Sequence, residues 1–168
     1  MPTDFENIDI ERVKIVKVKN YYTITYNDKP IIINTPVVVL PFGLEKEYSN
    51  YILKLQLRNI KINKELEDLY NFFTKLENRI QNYFRNDNGL FKSQIRLHKT
   101  YDPLLLTKIP QVNNKFLCEY TEMNKKPLNM FNIEKGEKVV VKLLIDTIWI
   151  YKNTVSYKIK VKKIVCVK

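Results

Sequence analysis

Lysine occupies every second position of a segment near the carboxy terminus. Lys158, Lys160 and Lys162 alternate with apolar residues between Val155 and Val161. Side chains on a β-strand alternate between its two faces, so this segment predicts a strand with its ammonium groups on one face. Such a row could hold the oxygens of successive phosphate groups, and it indicates a polyanion as the partner.

Two further strand candidates carry positive charge on their polar face. Residues 51–58 and 91–99 both alternate apolar with polar side chains, and the polar ones include lysine, arginine and the single histidine. Cations that follow a phosphate backbone are a general means of holding nucleic acid. The predicted phosphate contacts are Lys54, Arg58, Lys92, Arg96, His98, Lys158, Lys160 and Lys162.

Aromatic residues lie close to these basic segments. A ring that stacks on an exposed base of a single strand contributes about 1–3 kcal/mol. Any one ring is more often part of a core, and Trp149, inside an apolar segment, fits a core position better than the tyrosines beside turns do. The stacking candidates are Tyr22, Tyr26, Tyr101, Trp149, Tyr151 and Tyr157.

The sequence offers no constellation for catalysis or metal binding. The 3 glycines are isolated, so there is no glycine-rich phosphate loop. His98 is the sole histidine, and Pro103 argues against a helical face that would join it to Asp102. Asp146 is the strand-interior acid considered as a metal ligand, and Lys142 or another lysine is expected to neutralise it. We therefore expect no catalytic residue, no cofactor, no metal and no enzymatic activity.

Length and charge narrow the class of protein. A chain of 168 residues, 45% of them hydrophobic, fits a single domain over residues 1–168. The formal charge of +11 favours nucleic acid or an anionic membrane surface as partner. Alanine is absent while lysine, asparagine, isoleucine and tyrosine abound, a bias that AT-rich codons alone could produce. The positions of the lysines therefore carry more weight than their number.

Cysteine use and the amino terminus indicate where the protein acts. Cys118 and Cys166 lie far apart without a second pair, which argues against a disulfide framework and favours a reducing compartment. Residues 1–11 are polar and acidic, unlike a secretory signal. No run approaches the roughly 20 apolar residues of a membrane span. We expect an intracellular, non-secreted protein without a membrane partner.

The pattern along the chain predicts a mainly β fold with one long helix. The helix is expected to begin after Asn63, to end before Asn88-Gly89, and to pack an apolar stripe on a sheet. Runs rich in β-branched and aromatic residues predict strands at 12–19, 21–26, 31–40, 51–58, 91–99, 116–122, 139–151 and 155–166.

Several of these segments carry more specific expectations. Pro36 predicts an edge position or a bend in the third strand, and a reversed alternation predicts a bulge near Lys162-Lys163. Residues 100–114 contain two prolines and are expected to form a long ordered loop or a linker. Residues 139–151 are apolar on both faces and should lie deep in a barrel or between layers before turning at Lys152-Asn153.

This order of elements resembles a known family. With the closing segments Gly136-Glu137-Lys138-Val139-Val140-Val141, Ile148-Trp149-Ile150 and Tyr157 to Ile164, the chain resembles the phage-type single-stranded-DNA-binding proteins of podoviruses and large nucleocytoplasmic DNA viruses. The resemblance implies an OB-fold-like Greek-key barrel that binds single strands across its sheet face and adjoining loops. It also implies non-enzymatic, non-sequence-specific binding in viral DNA replication and recombination, in the host cytoplasm or a viral factory.

The resemblance further implies a homodimer and replication proteins as partners. Podoviral members recruit such proteins through an acidic tail with a terminal aromatic residue. This sequence ends Ile164-Val165-Cys166-Val167-Lys168, so recruitment through such a tail is not expected from these residues.

Two alternatives remain at this point. RNA is not separated from single-stranded DNA by the residues alone, so an RNA-binding or transcription accessory module stays open. The alternative from another class is a β-rich virion structural or assembly protein that docks on another subunit through apolar strand faces.

Overall fold

The computed structural model describes residues 4–87 and 89–167. The first three residues of the expected acidic arm, Asn88 at the expected helix stop and Lys168 lie outside the described residues. The α-helix, α1, is Lys64–Tyr83. The strands are β1 Lys14–Val18, β2 Tyr21–Thr25, β3 Ile31–Asn34, β4 Val38–Leu40, β5 Leu44–Glu47, β6 Asn50–Gln56, β7 Leu90–Lys92, β8 Ile95–Arg96, β9 Leu104–Ile109, β10 Gln111–Val112, β11 Lys115–Phe116, β12 Glu119–Glu122, β13 Glu137–Ile145, β14 Thr147–Tyr151, β15 Thr154–Tyr157 and β16 Lys160–Cys166.

Five strands close a barrel. β3 with β4 forms the first barrel strand, and β6, β9, β13 and β16 follow as the second to fifth. The first pairs with β6 and β13, β6 pairs with β9, and β13 pairs with β16, all antiparallel. A parallel contact between Lys160 and Lys108 joins β16 to β9 and completes the circle. This order is the Greek-key order of an OB fold, which confirms the expected mainly β fold with one helix.

A bend divides the first barrel strand at the expected proline. Pro36 lies between β3 and β4, and both pieces pair with β13. At the bend, the buried Thr35 continues the hydrogen bonding to β13, because its hydroxyl accepts a hydrogen bond from the N–H of Val141 at 3.0 Å. The proline therefore turns the strand without ending it.

A second sheet, the extension sheet, continues one end of the barrel. Its strand order is β1, β2, β14, β15, β7. β14 continues β13 along the chain, and β15 leads into β16. β14 and β15 pair with each other and meet at the expected turn, where Lys152 and Asn153 have φ of 48° and 61°. One long hairpin thus belongs to both sheets.

The helix packs against the hydrophobic core and the amino-terminal residues 5–12. Asn63 caps it by accepting the N–H of Leu66 at 3.2 Å. Its buried residues are Leu66, Leu69, Phe72, Phe73, Leu76, Glu77 and Ile80, which confirms the predicted stripe and adds a buried carboxylate. The helix ends at Tyr83, before Gly89, as expected. No helix among the described residues is long and apolar enough to span a bilayer.

Four sequence predictions of secondary structure were wrong. Residues 91–99 are not one strand, because Ser93 and Gln94 separate β7 from β8 and these belong to different sheets. Residues 116–122 are not one strand either, because β11 and β12 also belong to different sheets.

Residues 100–114 are not a loop, because Leu104–Ile109 forms the third barrel strand, flanked and not interrupted by Pro103 and Pro110. Residues 139–151 are not one strand buried on both faces. The strand breaks at Asp146, only alternate residues of β13 are buried, and Trp149, Ile150 and Tyr151 are exposed.

The expected bulge lies in β16. The register places Lys142 opposite Lys163 but Leu143 opposite Val161, so Lys162 is the additional residue. The inward positions shift accordingly from Val161 to Ile164, and both are buried.

Candidate nucleic-acid interface

An open groove of about 560 Å³ runs over the outer face of the second and third barrel strands. β6 and β9 form its bottom. The β5–β6 turn borders it, as do residues 92–96 and the link between β15 and β16 at residues 156–159. The groove therefore lies where the barrel meets the extension sheet.

The bottom of the groove is apolar. Ile52, Leu104 and Leu106 are half-buried residues that line it. Their strand neighbours Leu53 and Leu105 point inward and are fully buried or nearly so. The two-residue period of β6 and β9 thus places a core on one side and a partly exposed aliphatic surface on the other.

Five cationic side chains line this aliphatic surface, and together they define the cationic groove: Lys54, Lys92, Arg96, Lys108 and Lys158. Cross-strand pairing brings Lys54 opposite Leu106 and Lys108 opposite Ile52. Lys92 is the parallel partner of Ser156, which also lines the groove. Cations from four separate chain segments therefore converge on one surface.

Most of these cations have no acidic partner. Lys54 lies 3.4 Å from Glu45 and 5.2 Å from the ring centre of Phe42. Lys92, Arg96, Lys108 and Lys158 form no ion pair with any carboxylate of residues 4–87 and 89–167. Positive charge is thus concentrated and available to an external anion.

The charges also act on one another. Burial lowers the pKa of Lys158, and the ammonium groups of Lys108, Lys160 and Lys92 lower it further. A bound anion would relieve this repulsion, since an opposite charge favours the ammonium form. The cluster has the electrostatics of a phosphate-binding site.

The structure separates the three lysines that the sequence placed together. Lys158 lines the groove, whereas Lys160 pairs with Asp146 at 3.0 Å. This pair confirms that a lysine neutralises Asp146. Lys162 is exposed at the bulge and lies outside the groove lining, because β16 has by then continued around the barrel.

Two aromatic rings extend the groove surface onto the extension sheet. Trp149 is the cross-strand partner of Ser156, and Ser156 is the partner of Lys92, so these side chains share a face. The ring of Tyr21 lies 5.3 Å from that of Trp149. Trp149 is 38% exposed and Tyr151, two residues on, is 72% exposed. The aromatic row Tyr21–Trp149 therefore leads directly into the cationic groove.

Three of the predicted stacking tyrosines point elsewhere. Tyr22 lies on the opposite face of the extension sheet, where its ring meets that of Phe84 at 4.8 Å. Tyr26 packs against the core, and its hydroxyl accepts a hydrogen bond from the N–H of Asp9 at 3.3 Å. Tyr157 is fully buried. The sequence assignment of Tyr157 to base stacking is corrected, because its ring has no face open to a ligand.

The remaining candidates lie outside the groove lining. Arg58 follows the end of β6, and its Nε donates a hydrogen bond to Gln56 Oε1 at 3.1 Å. His98 Nδ1 accepts the N–H of Thr100 at 3.1 Å, and its ring lies 4.8 Å from that of the exposed Tyr101. Among the described residues, His98 forms no ion pair with a carboxylate and belongs to no cluster of potential metal ligands.

A buried carboxylate on the helix supports one wall of the groove. Glu77 Oε1 accepts the hydroxyl of Ser93 at 2.5 Å, and Oε2 accepts the N–H of Gln94 at 2.9 Å. Gln94 in turn donates from Nε2 to the carbonyl of Tyr157 at 2.8 Å. These bonds fix residues 92–96, which bring Lys92 and Arg96 to the groove.

Sequence reasoning missed two groove residues, Lys108 and Tyr48, and one ring of the adjoining aromatic row, Tyr21. Lys108 was assigned to a loop, although Leu105, Thr107 and Ile109 alternate with it in a strand pattern. Tyr22, and not Tyr21, was among the predicted stacking residues, and one step of register decides which of the two rings shares a face with Trp149. Tyr48, at the β5–β6 turn, also lines the groove, and no pattern in the sequence marks it.

Comparison with known proteins finds likeness in structure only. No protein-family model matches this sequence. No curated protein matches it either.

Solved structures of two phage proteins share the fold. The single-stranded DNA binding protein gp2.5 of bacteriophage T7 is 9% identical, with a TM-score of 0.50 over 83% of this chain and 87% of that one. A C-terminal truncation of the single-stranded DNA-binding protein of bacteriophage Enc34 is 13% identical, with a TM-score of 0.53 over 92% and 94% of the two chains. The Enc34 protein in complex with single-stranded DNA is 12% identical, with a TM-score of 0.51 over 92% and 96%. At this level of identity the likeness shows a shared fold.

Proposed function

We propose that the protein binds single-stranded DNA, without catalysis, along the cationic groove and the adjoining aromatic row. One observation carries the proposal. Four cations without an acidic partner among the described residues surround an apolar floor on one barrel face. An exposed cluster of this kind costs folding energy through repulsion and is explained by an anionic ligand that also has apolar parts.

A single nucleic-acid strand has this combination of groups. Its phosphates would contact Lys92, Arg96, Lys108 and Lys158, which neutralise charge and release counterions. Its unpaired bases would lie on the aliphatic floor and stack on Trp149, which is partly exposed. In a duplex the bases are hidden in the stack, so only the phosphates could be contacted. This difference favours single strands over duplexes.

The position of the groove supports the same function. OB folds bind oligonucleotides on the face of strands 2 and 3 and on the loops that follow strands 1 and 4. Here the groove lies on β6 and β9, the second and third barrel strands. The β5–β6 turn belongs to the loop after strand 1, and β14 and β15 belong to the loop after strand 4.

The structural neighbours support the choice of DNA. Each is a phage single-stranded DNA-binding protein, and one was solved in complex with single-stranded DNA. We extend the proposal to a role in viral DNA replication or recombination, carried out as a homodimer with replication proteins as partners. RNA is the competing ligand, to be separated from DNA by direct comparison.

A salt titration tests the proposal. The Kd for a fluorescently labelled oligothymidylate, longer than the roughly 4–16 nucleotides that one OB fold covers, is measured over a range of salt concentrations. Four or five phosphate contacts predict a log–log slope of about −3 to −4. A duplex of equal length should bind more weakly, and the matching oligouridylate ranks RNA against DNA. Absence of binding at low salt would overturn the proposal and favour a virion structural or assembly role.

A further inference from the structure

We propose that Tyr48, at the tip of the β5–β6 hairpin, is a base-stacking subsite that closes one end of the groove. The inference rests on the proposed function and adds a contact that neither charge nor strand patterning indicates. Its ligand is a nucleobase of the bound strand. Three observations carry it: backbone conformation, exposure and position.

The backbone of Tyr48 is in a conformation that disfavours tyrosine. Glu47 pairs with Asn50, so Tyr48 and Ser49 form a two-residue hairpin loop. Tyr48 has φ of 57°, a region that glycine, asparagine and aspartate enter far more easily than a bulky residue. The other non-glycine residues with positive φ in residues 4–87 and 89–167 are lysine, asparagine or aspartate. Tyr48 is the one aromatic residue among the described residues with positive φ. The turn requires this backbone conformation but does not explain why a tyrosine occupies it.

The ring also contributes nothing to the core. Tyr48 is 94% exposed, more than any other exposed large hydrophobic residue of the described chain. None of the aromatic or cation–π contacts among the described residues includes Tyr48. Both ring faces are therefore free. A strained backbone that displays a free aromatic ring points to a role in binding, because folding alone gains nothing from it.

The hairpin presents this ring at the groove. Tyr48 lines the groove together with its neighbours Glu47 and Asn50 and with Lys54 and Lys158. The paired strands β5 and β6 hold the loop in place through four cross-strand pairs. The aromatic row Tyr21–Trp149 adjoins the groove on the side of the extension sheet. A strand in the groove would thus meet a ring in the β5–β6 loop as well as those of the aromatic row.

Replacement of Tyr48 by glycine separates this role from a structural one. Glycine accepts positive φ without strain, so Tyr48→Gly should leave the melting temperature unchanged or higher. Loss of one stacked base, about 1–3 kcal/mol, should raise the Kd for oligothymidylate about 5- to 150-fold. The salt slope should stay the same, because no cation is removed. Tyr48→Phe should bind as the wild type does.

Further variants decide the remaining outcomes. Tyr48→Asn, which also tolerates positive φ, should reproduce the loss of affinity if the glycine variant folds poorly. Tyr101→Gly, at an exposed loop position outside the groove, should change the Kd little. If the wild type binds and both Tyr48→Gly and Tyr48→Asn bind equally well, the subsite is wrong while the proposed function stands. If the wild type does not bind at all, both fail.

Discussion

The hydroxyl of Tyr157 donates a hydrogen bond to Glu77 Oε2 at 2.6 Å inside the core. This bond joins the helix to β15, immediately before Lys158 in the groove. The same carboxylate holds Ser93 and Gln94, so one helical residue connects two walls of the groove. Burial and the neighbouring Glu77 raise the pKa of Tyr157 well above its usual value, and the phenol stays a donor at neutral pH.

Tyr157→Phe should therefore destabilise the fold. The substitution keeps the ring but leaves the Glu77 carboxylate with one donor fewer in a buried place, which costs about 1–3 kcal/mol. Urea denaturation followed by circular dichroism measures the change. Tyr26→Phe is the matched control, because the Tyr26 hydroxyl makes longer bonds, of 3.3 and 3.4 Å, near the surface. Equal decreases in the free energy of unfolding for the two variants would show that the hydrogen bond to Glu77 contributes no more than an ordinary surface hydrogen bond.

Binding should depend on the protonation of Lys158. Its pKa is lowered in the free protein, and a bound phosphate favours the ammonium form, so binding takes up protons. Affinity should fall as the pH rises from neutral toward the usual lysine pKa of about 10.4, and the fall should begin below that pH. The free protein should gain stability over the same window, because the unfolded chain binds more protons at this residue.

Measurement of Kd against pH at constant ionic strength tests this dependence. In Lys158→Gln, the decrease in affinity at pH values below the usual lysine pKa should disappear. A profile identical to that of the wild type would assign the effect to other lysines.

The alternation of residues predicted much of the fold. It placed the inward faces of residues 51–58 and the helix correctly, and the reversed alternation after Lys162 located the bulge. It failed for residues 104–109, where two nearby prolines suggested a loop. Prolines outside the paired positions of a strand remove no ladder hydrogen bond, so they were compatible with a barrel strand.

The candidate site was only partly predictable for a physical reason. A period of two tells which side of a strand a lysine takes, but not how far the strand has turned around a barrel. Lys158 and Lys162 share one alternation, yet only Lys158 lines the groove. Lys108 and Lys158 come together because Lys160 pairs with Lys108 between distant segments, and no local pattern reveals that pairing.

Lys158 and Lys162 therefore offer a matched pair of substitutions. Lys158→Gln should weaken binding of the single strand and make the salt slope shallower by about 0.7, the value for one phosphate contact. Lys162→Gln should change the slope little, although both sites lie on the same segment. Lys162→Gln should alter stability by no more than about 0.5 kcal/mol, the usual range for surface sites. Lys158→Gln should raise stability, because it removes a partly buried charge that its lysine neighbours repel.

Two helix lysines extend this comparison. Lys64 pairs with Asp68, and Lys75 lies near Phe72 at the amino-terminal arm. The double variant Lys64→Gln with Lys75→Gln should bind nearly as well as the wild type. If the double variant weakens binding as much as Lys158→Gln does, the bound DNA strand does not lie in the cationic groove.

Trp149 should report binding directly, because it is the single tryptophan of the chain and belongs to the row that adjoins the groove. A base stacked on it should quench its emission, and high salt should restore the emission as the complex dissociates. Trp149→Ala should raise the Kd about 5- to 150-fold, corresponding to about 1–3 kcal/mol for one stacked base, whereas Trp149→Phe should keep most of the affinity. Tyr22→Leu, on the opposite face of the same sheet, should lower stability without changing the Kd measured well below its melting temperature. Tight binding with unchanged emission and an unaffected alanine variant would confine the strand to the barrel face and exclude the extension sheet from the site.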